Sequence, residues 1–121
     1  MNQEIKEVNS VTALEMIRNG ALLIDIRELE EIEMVAFDME EQLFIPQSEL
    51  TLRLREIPRD RGVILGCHSG NRSGVVTLFL IEQGFENVYS LSGGIREWIE
   101  LDLPVTWDNY KPENAVQTHE I

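Results

Sequence analysis

The sequence predicts an α/β fold: a parallel sheet of about five strands with helices on both faces. Three observations carry this. The apolar runs Ala21-Leu22-Leu23-Ile24 and Val63-Ile64-Leu65 are continuous rather than alternating, as in strands covered on both sides. Strand candidates alternate with helix-period segments along the chain. Informative polar residues follow the strand ends, where such sheets place their working loops.

In chain order, Ile5 to Val8 is a short first strand. Asn9-Ser10 offers a helix N-cap, with Leu14, Met16 and Ile17 as apolar positions and Gly20 as the stop. The strand from Ala21 ends in Asp25-Ile26-Arg27. Glu28 to Met34 reads as an acidic helix with Leu29 and Ile32 inward and a solvated face of Glu28, Glu30, Glu31 and Glu33. Val35 to Gln42 has no clean period and reads as an irregular connection. Leu43 to Ile45 is a strand closed by Pro46. Ser48 caps a helix with a stripe of Leu50, Leu54 and Ile57, and Pro58 ends it. After the strand to Leu65, Ser73 to Gln83 is a helix apolar nearly all round and therefore covered, with Gly84 as its stop. Asn87 to Leu91 is a strand, Ser92-Gly93-Gly94 a tight loop, and Ile95 to Leu101 a helix packed through Trp98. Residues 1–105 thus form one domain and 106–121 a C-terminal extension, with Pro104 closing the compact part.

Composition narrows the function. The chain of 121 residues carries a net charge of −12, which repels nucleic acid and anionic membrane surfaces. One cysteine excludes an internal disulfide, a cysteine-rich zinc site and a CxxC pair. No metal or other cofactor is called for. Met1-Asn2-Gln3-Glu4 lacks a basic-then-apolar leader pattern, and no apolar run reaches the ~20 residues of a membrane span. A reducing cytoplasm is the expected location, where a free thiol persists.

That cysteine, Cys67, opens the loop Cys67-His68-Ser69-Gly70-Asn71-Arg72-Ser73 between a buried strand and a helix. Backbone N–H groups and the helix dipole converge there and favour negative charge, so a thiolate nucleophile is expected. Four residues separate Cys67 from Arg72. That ring is one residue smaller than the Cys-x5-Arg cradle of cysteine phosphatases, and suits a single large atom on sulfur, such as the outer sulfur of a persulfide. Gly70 lets the loop curl, Ser73 caps the helix or bonds within the loop, Arg72 adds fixed charge at the rim, and His68 is a rim donor. Asp25 and Arg27 read as structural support at a neighbouring strand end.

These residues resemble the active-site loop of a single-domain rhodanese, a sulfurtransferase. Leu23-Ile24-Asp25-Ile26-Arg27-Glu28, Ile45-Pro46-Gln47-Ser48-Glu49-Leu50, Gly84-Phe85-Glu86-Asn87-Val88 and Leu91-Ser92-Gly93-Gly94-Ile95-Arg96-Glu97-Trp98 are similar to the family's other motifs in order and spacing. The resemblance covers roughly residues 5 to 105 and implies a rhodanese-like fold. It implies ping-pong transfer of a sulfane sulfur from a donor such as thiosulfate, through a Cys67 persulfide, to cyanide, a thiol or a protein acceptor. Residues His68 to Ser73 would then supply amides to the outer sulfur. Two departures stand out. His68 occupies a position where many active relatives carry Arg or Lys, which weakens the local field. Val35 to Gln42 also lacks the family's Gly-His-Ile-x-Gly-Ala turn. The competing readings are a rhodanese-fold binding module and a small cysteine phosphatase or arsenate-type reductase. A thiol shut away from solvent, with neighbouring amides turned elsewhere, would contradict the enzymatic reading.

Overall fold

The computed structural model describes residues 6–107. The described strands are β1 (Glu7–Val8), β2 (Leu22–Asp25), β3 (Val35–Phe37), β4 (Gln42–Phe44), β5 (Val63–Gly66), β6 (Val88–Leu91) and β7 (Val105–Trp107). The helices are α1 (Ser10–Arg18), α2 (Leu29–Met34), α3 (Asn71–Glu82) and α4 (Gly94–Glu100). Five strands form a parallel sheet in the order β1-β6-β5-β2-β4. Ile5, the start of the expected first strand, lies outside the described residues, as does everything after Trp107.

Strand alternation divides the apolar residues between two cores. Leu22, Ile24, Val63 and Leu65 face one side, where they pack with Leu50, Val76, Leu80 and Phe85. Leu23 and Ile64 face the other, packing with Leu14, Phe37, Ile95 and Trp98. The two central strands are buried throughout, which is why their runs do not alternate in polarity.

Local chemistry sets most boundaries. Asn9 caps α1 through its side chain, which accepts from Thr12 N at 2.8 Å. Leu22 N donates to Gly62 O and Ile26 N to Gly66 O, bracketing the β2–β5 pairing.

Several expectations need correcting. The stretch Val35 to Gln42 is not wholly irregular: Val35–Phe37 pairs antiparallel with Val105–Trp107, in the register Val35 with Trp107 and Phe37 with Val105. Pro104 therefore does not end the compact part; its carbonyl accepts from Trp98 Nε1 at 2.9 Å and Asp38 N at 3.1 Å. Neither short strand has a strong pattern of its own, and each gains its ladder bonds from the other. The segment after Pro46 is not one α-helix but two 3-10 stretches, Gln47–Leu52 and Leu54–Glu56. Ser48 does not cap it; its amide and hydroxyl donate to the Glu28 carboxylate at 3.2 and 3.0 Å. The stripe itself is buried as expected, with Leu50 and Ile57 in the core and Leu54 packed against it, while Leu52 is exposed. Helix α3 begins at Asn71, not Ser73, and is not covered all round: Val75 is exposed, while Ser73 and Thr77 are on its buried face.

Candidate active site

The carboxyl ends of β2, β5 and β6 meet at one edge of the sheet. After β5 the chain runs through Cys67, His68 and Ser69 to Gly70, whose left-handed backbone (φ 100°) makes it the N-cap of α3. Asn71, Arg72 and Ser73 form the helix's first turn rather than part of a loop. The left-handed step reverses the chain beneath the cysteine, so Gly70 N points at Sγ from 3.1 Å. Ser73 N reaches the same sulfur from 3.3 Å.

Two amides are thus aimed at Sγ itself. Donors aimed at sulfur are what a thiolate or persulfide accepts. The thiol lies within 3.4 Å of Ser73 Oγ. That hydroxyl also bonds Gly70 O at 3.2 Å and Ser90 Oγ at 2.7 Å. Ser73 and Ser90 are fully buried, so this chain of hydroxyls is sealed beneath the sulfur. Ser90 was missed in the sequence because a serine inside a strand carries no signal of where its side chain ends.

The thiol is itself enclosed, with Cys67 1% exposed. Burial goes against the simple picture of an open nucleophile; the orientation of the two amides agrees with it. The sulfur is the floor of the loop, and His68 and Asn71 are exposed at its rim.

Helix α4 holds the loop from outside. Ile95 N donates to Cys67 O at 2.8 Å and Arg96 N to His68 O at 3.0 Å. These carbonyls are drawn away from the sulfur. Gly94 makes the contact possible: it has φ 63°, and a Cβ there would collide with the His68 carbonyl. A side chain on Gly70 would likewise strike the Ser92 carbonyl, so the two loops touch through backbone alone.

Asp25 and Arg27 form a buried support. The Arg27 guanidinium, 2% exposed, meets Asp25 Oδ2 at 2.9 Å through Nη2 and Oδ1 at 3.1 Å through Nε. It also donates to the carbonyls of Val35 at 2.8 Å and Glu31 at 3.4 Å, and lies over the Phe37 ring. One guanidinium therefore ties β2 to α2 and β3.

The Arg72 guanidinium, expected as a fixed charge at the rim, is paired. Its Nη1 and Nη2 donate to Glu31 Oε2 and Oε1 at 2.8 and 2.7 Å, a fork-on-fork pair joining α3 to α2. Glu31 accordingly leaves the solvated face to which the acidic run was assigned. Its carboxyl is lowered to about 2, chiefly by the hydrogen bonds from Arg72. The same contact raises the Arg72 pKa, with smaller contributions from Glu31, Cys67 and Asp25 as charges. Glu31 also accepts from Glu28 N at 3.1 Å, and the Glu28 carboxylate in turn serves Ser48.

Among the described residues, no helix is long and apolar enough to cross a membrane, and no group of three or more His, Cys, Asp or Glu is placed to hold a metal ion. Two surface grooves, lined in part by Gly20, Ala21 and Arg61, lie at the opposite end of the sheet from Cys67.

A parallel α/β sheet with a cysteine-headed loop running into a helix defines a class of domain, and comparison with known proteins gives its family. The rhodanese-like domain family profile matches residues 11–101, so the chain belongs to that family. It is a sulfurtransferase enzyme by its relatives. The thiosulfate sulfurtransferase GlpE of Haemophilus influenzae strain PittEE is 36% identical over 104 residues, covering 83% of this chain and 93% of that protein. A sulfurtransferase of Allochromatium vinosum is 33% identical over 103 residues, covering 84% and 94%. Among solved structures, a rhodanese-related protein from Thermoplasma volcanium superposes with a TM-score of 0.72 at 28% identity, covering 84% of this chain and 97% of that one.

Proposed function

We propose that this sulfurtransferase moves a sulfane sulfur from a donor such as thiosulfate to a thiophilic acceptor through a persulfide on Cys67. The observation that carries the reading is the pair of amides, Gly70 N and Ser73 N, aimed at Sγ from 3.1 and 3.3 Å. In the first half-reaction the Cys67 thiolate attacks the outer sulfur of thiosulfate. A new S–S bond forms, the donor's S–S bond breaks, and its electron pair leaves with sulfite. In the second half-reaction an acceptor thiolate, or cyanide in the laboratory, attacks that outer sulfur and returns Cys67 as thiolate. No external oxidant or reductant is needed.

Each site residue has a place in this scheme. Cys67 is the nucleophile. In this reading the backbone of His68, Ser69, Gly70, Asn71, Arg72 and Ser73 would supply N–H donors to the outer sulfur. The Ser73 hydroxyl, backed by Ser90, can turn its proton from Gly70 O toward an anionic sulfur. Asp25 and Arg27 hold the neighbouring strand end. The acceptor is a small thiol or a protein thiol, and a cytoplasmic setting suits a thiol that must stay reduced.

The test is mass spectrometry of wild type and Cys67→Ala after exposure to thiosulfate, followed by addition of thiol or cyanide. The wild type gains the mass of one sulfur on Cys67 and loses it to the acceptor; the variant gains nothing. A Cys67→Ala protein that still turns over the donor would sink the reading, and a protein that takes up no sulfur from any donor would leave the fold acting as a binding module.

A further inference from the structure

The Arg72 guanidinium beside the loop is already paired. Arg72 stands within electrostatic reach of Cys67, yet both its terminal nitrogens are bonded to Glu31. Asp25 and Arg27 form a second neutral pair beneath. The Glu31 carboxylate remains ionised throughout the physiological range. An incoming anion therefore meets a guanidinium already paired with a carboxylate rather than a free cation, on a chain whose net charge is −12. Two amides and the first turn of α3 favour negative charge on Sγ, and neither amide is a charged group that would hold the rest of a dianion.

From this we infer that the Glu31–Arg72 pair is a specificity determinant that disfavours dianionic sulfur donors, so that the enzyme's better donors carry the sulfane sulfur on a molecule of lower charge, such as an organic persulfide or thiosulfonate. The inference rests on the persulfide reading above. Glu31 acts through Arg72 and through its own charge, without touching the sulfur.

The test compares two donors that differ by one charge. Thiosulfate (2−) and benzenethiosulfonate (1−) each give up a terminal sulfur to the Cys67 thiolate, releasing sulfite and benzenesulfinate respectively with the electron pair of the broken S–S bond. The readout is the ratio of their kcat/KM values at low ionic strength. Glu31→Gln removes one negative charge and frees Arg72, so the ratio should move toward thiosulfate by about three- to thirtyfold, an effect that salt should shrink. The double variant Glu31→Gln with Arg72→Gln replaces a neutral pair by a neutral pair. It should keep the wild-type ratio within about twofold, because the net charge facing the donor is unchanged. The double variant also carries the test if Glu31→Gln does not fold.

An unchanged or lowered ratio in Glu31→Gln overturns the inference. So does a double variant that loses thiosulfate selectively, because Arg72 would then be leaving Glu31 to hold the dianion. Failure of wild type to load sulfur from either donor would instead overturn the persulfide reading.

Discussion

Gly94→Ala tests whether the loop is held from α4. Gly94 is 27 positions from the thiol in sequence and contributes no side chain. Its backbone at φ 63° is left-handed, which costs a residue with a Cβ about 1–2 kcal/mol. The added Cβ would also sit 2.6 Å from Ser69 N, where ordinary contact begins near 3.4 Å, and closer still to the His68 carbonyl. Because the obstructing atoms are backbone, the loop or the helix end must shift by roughly 1 Å. The expected loss of stability is about 2–4 kcal/mol, from strain plus overpacking. A shift of that size carries Gly70 N and Ser73 N off the sulfur, and a 1 Å misplacement can lower turnover about 100-fold. The assay pairs a denaturation midpoint with steady-state sulfur transfer, both taken where the variant is fully folded. Val75→Ala, on the exposed face of α3, is the control. A folded Gly94→Ala protein with wild-type turnover would refute the claim that α4 sets the loop's geometry.

Two further outcomes come from the ion pairs. Arg27→Met leaves the Asp25 carboxylate buried without its guanidinium, which should cost about 3–5 kcal/mol and lower the melting temperature on the order of 15–30 °C; a loss of only a few degrees would show that Asp25 finds other partners. The Glu31–Arg72 pair should matter less and depend on pH. The Glu31 carboxyl is lower in the folded chain, about 2 against 4.5, so its contribution is present above about pH 4.5 and lost as pH falls through about 2. At face value that is roughly 3 kcal/mol, but about a third of each side chain is in water, and screening leaves ~1 kcal/mol. Wild type and Glu31→Gln should therefore differ in denaturation midpoint near neutral pH and converge on acidification. A gap that is constant down to about pH 2 would show that the pair contributes nothing through its charge.

The strands β2 and β5 and the Cys67 loop were legible because their signals are local. Continuous apolar runs mark strands covered on both faces, and a glycine beside a helix start marks a turn. What the sequence hid lies in contacts between distant positions. Arg72 and Glu31 are 41 residues apart, and nothing in either segment says that one neutralises the other. Ser10 and Glu97 bond across 87 residues at 2.6 Å, joining the start of α1 to α4. The pairing of β3 with β7 was invisible for a related reason. Each strand is three residues long, too short for a periodic signal, and only its partner makes it a strand.

These distant contacts explain how so few atoms on the loop can define a site. Helix α4 takes the carbonyls of Cys67 and His68, so those two acceptors are turned away from the sulfur. Gly70, left-handed, turns its amide inward, and the first turn of α3 adds that of Ser73. The cradle is therefore built from main chain, and its shape depends on which side chains are absent at Gly70 and Gly94 more than on which are present. The side chains that are present then adjust what it accepts. Glu31 cancels the Arg72 guanidinium at the mouth of the loop, leaving recognition of a donor to its transferable sulfur and to the shape of the group that bears it. A cradle of amides is indifferent to whether that sulfur arrives on a sulfonate or on a thiol. A neutralised mouth is not, since each added negative charge on the donor meets a carboxylate that already occupies the guanidinium beside it. On the inference above, donor choice is set by a residue on α2 that no reading of the Cys67 loop alone would include.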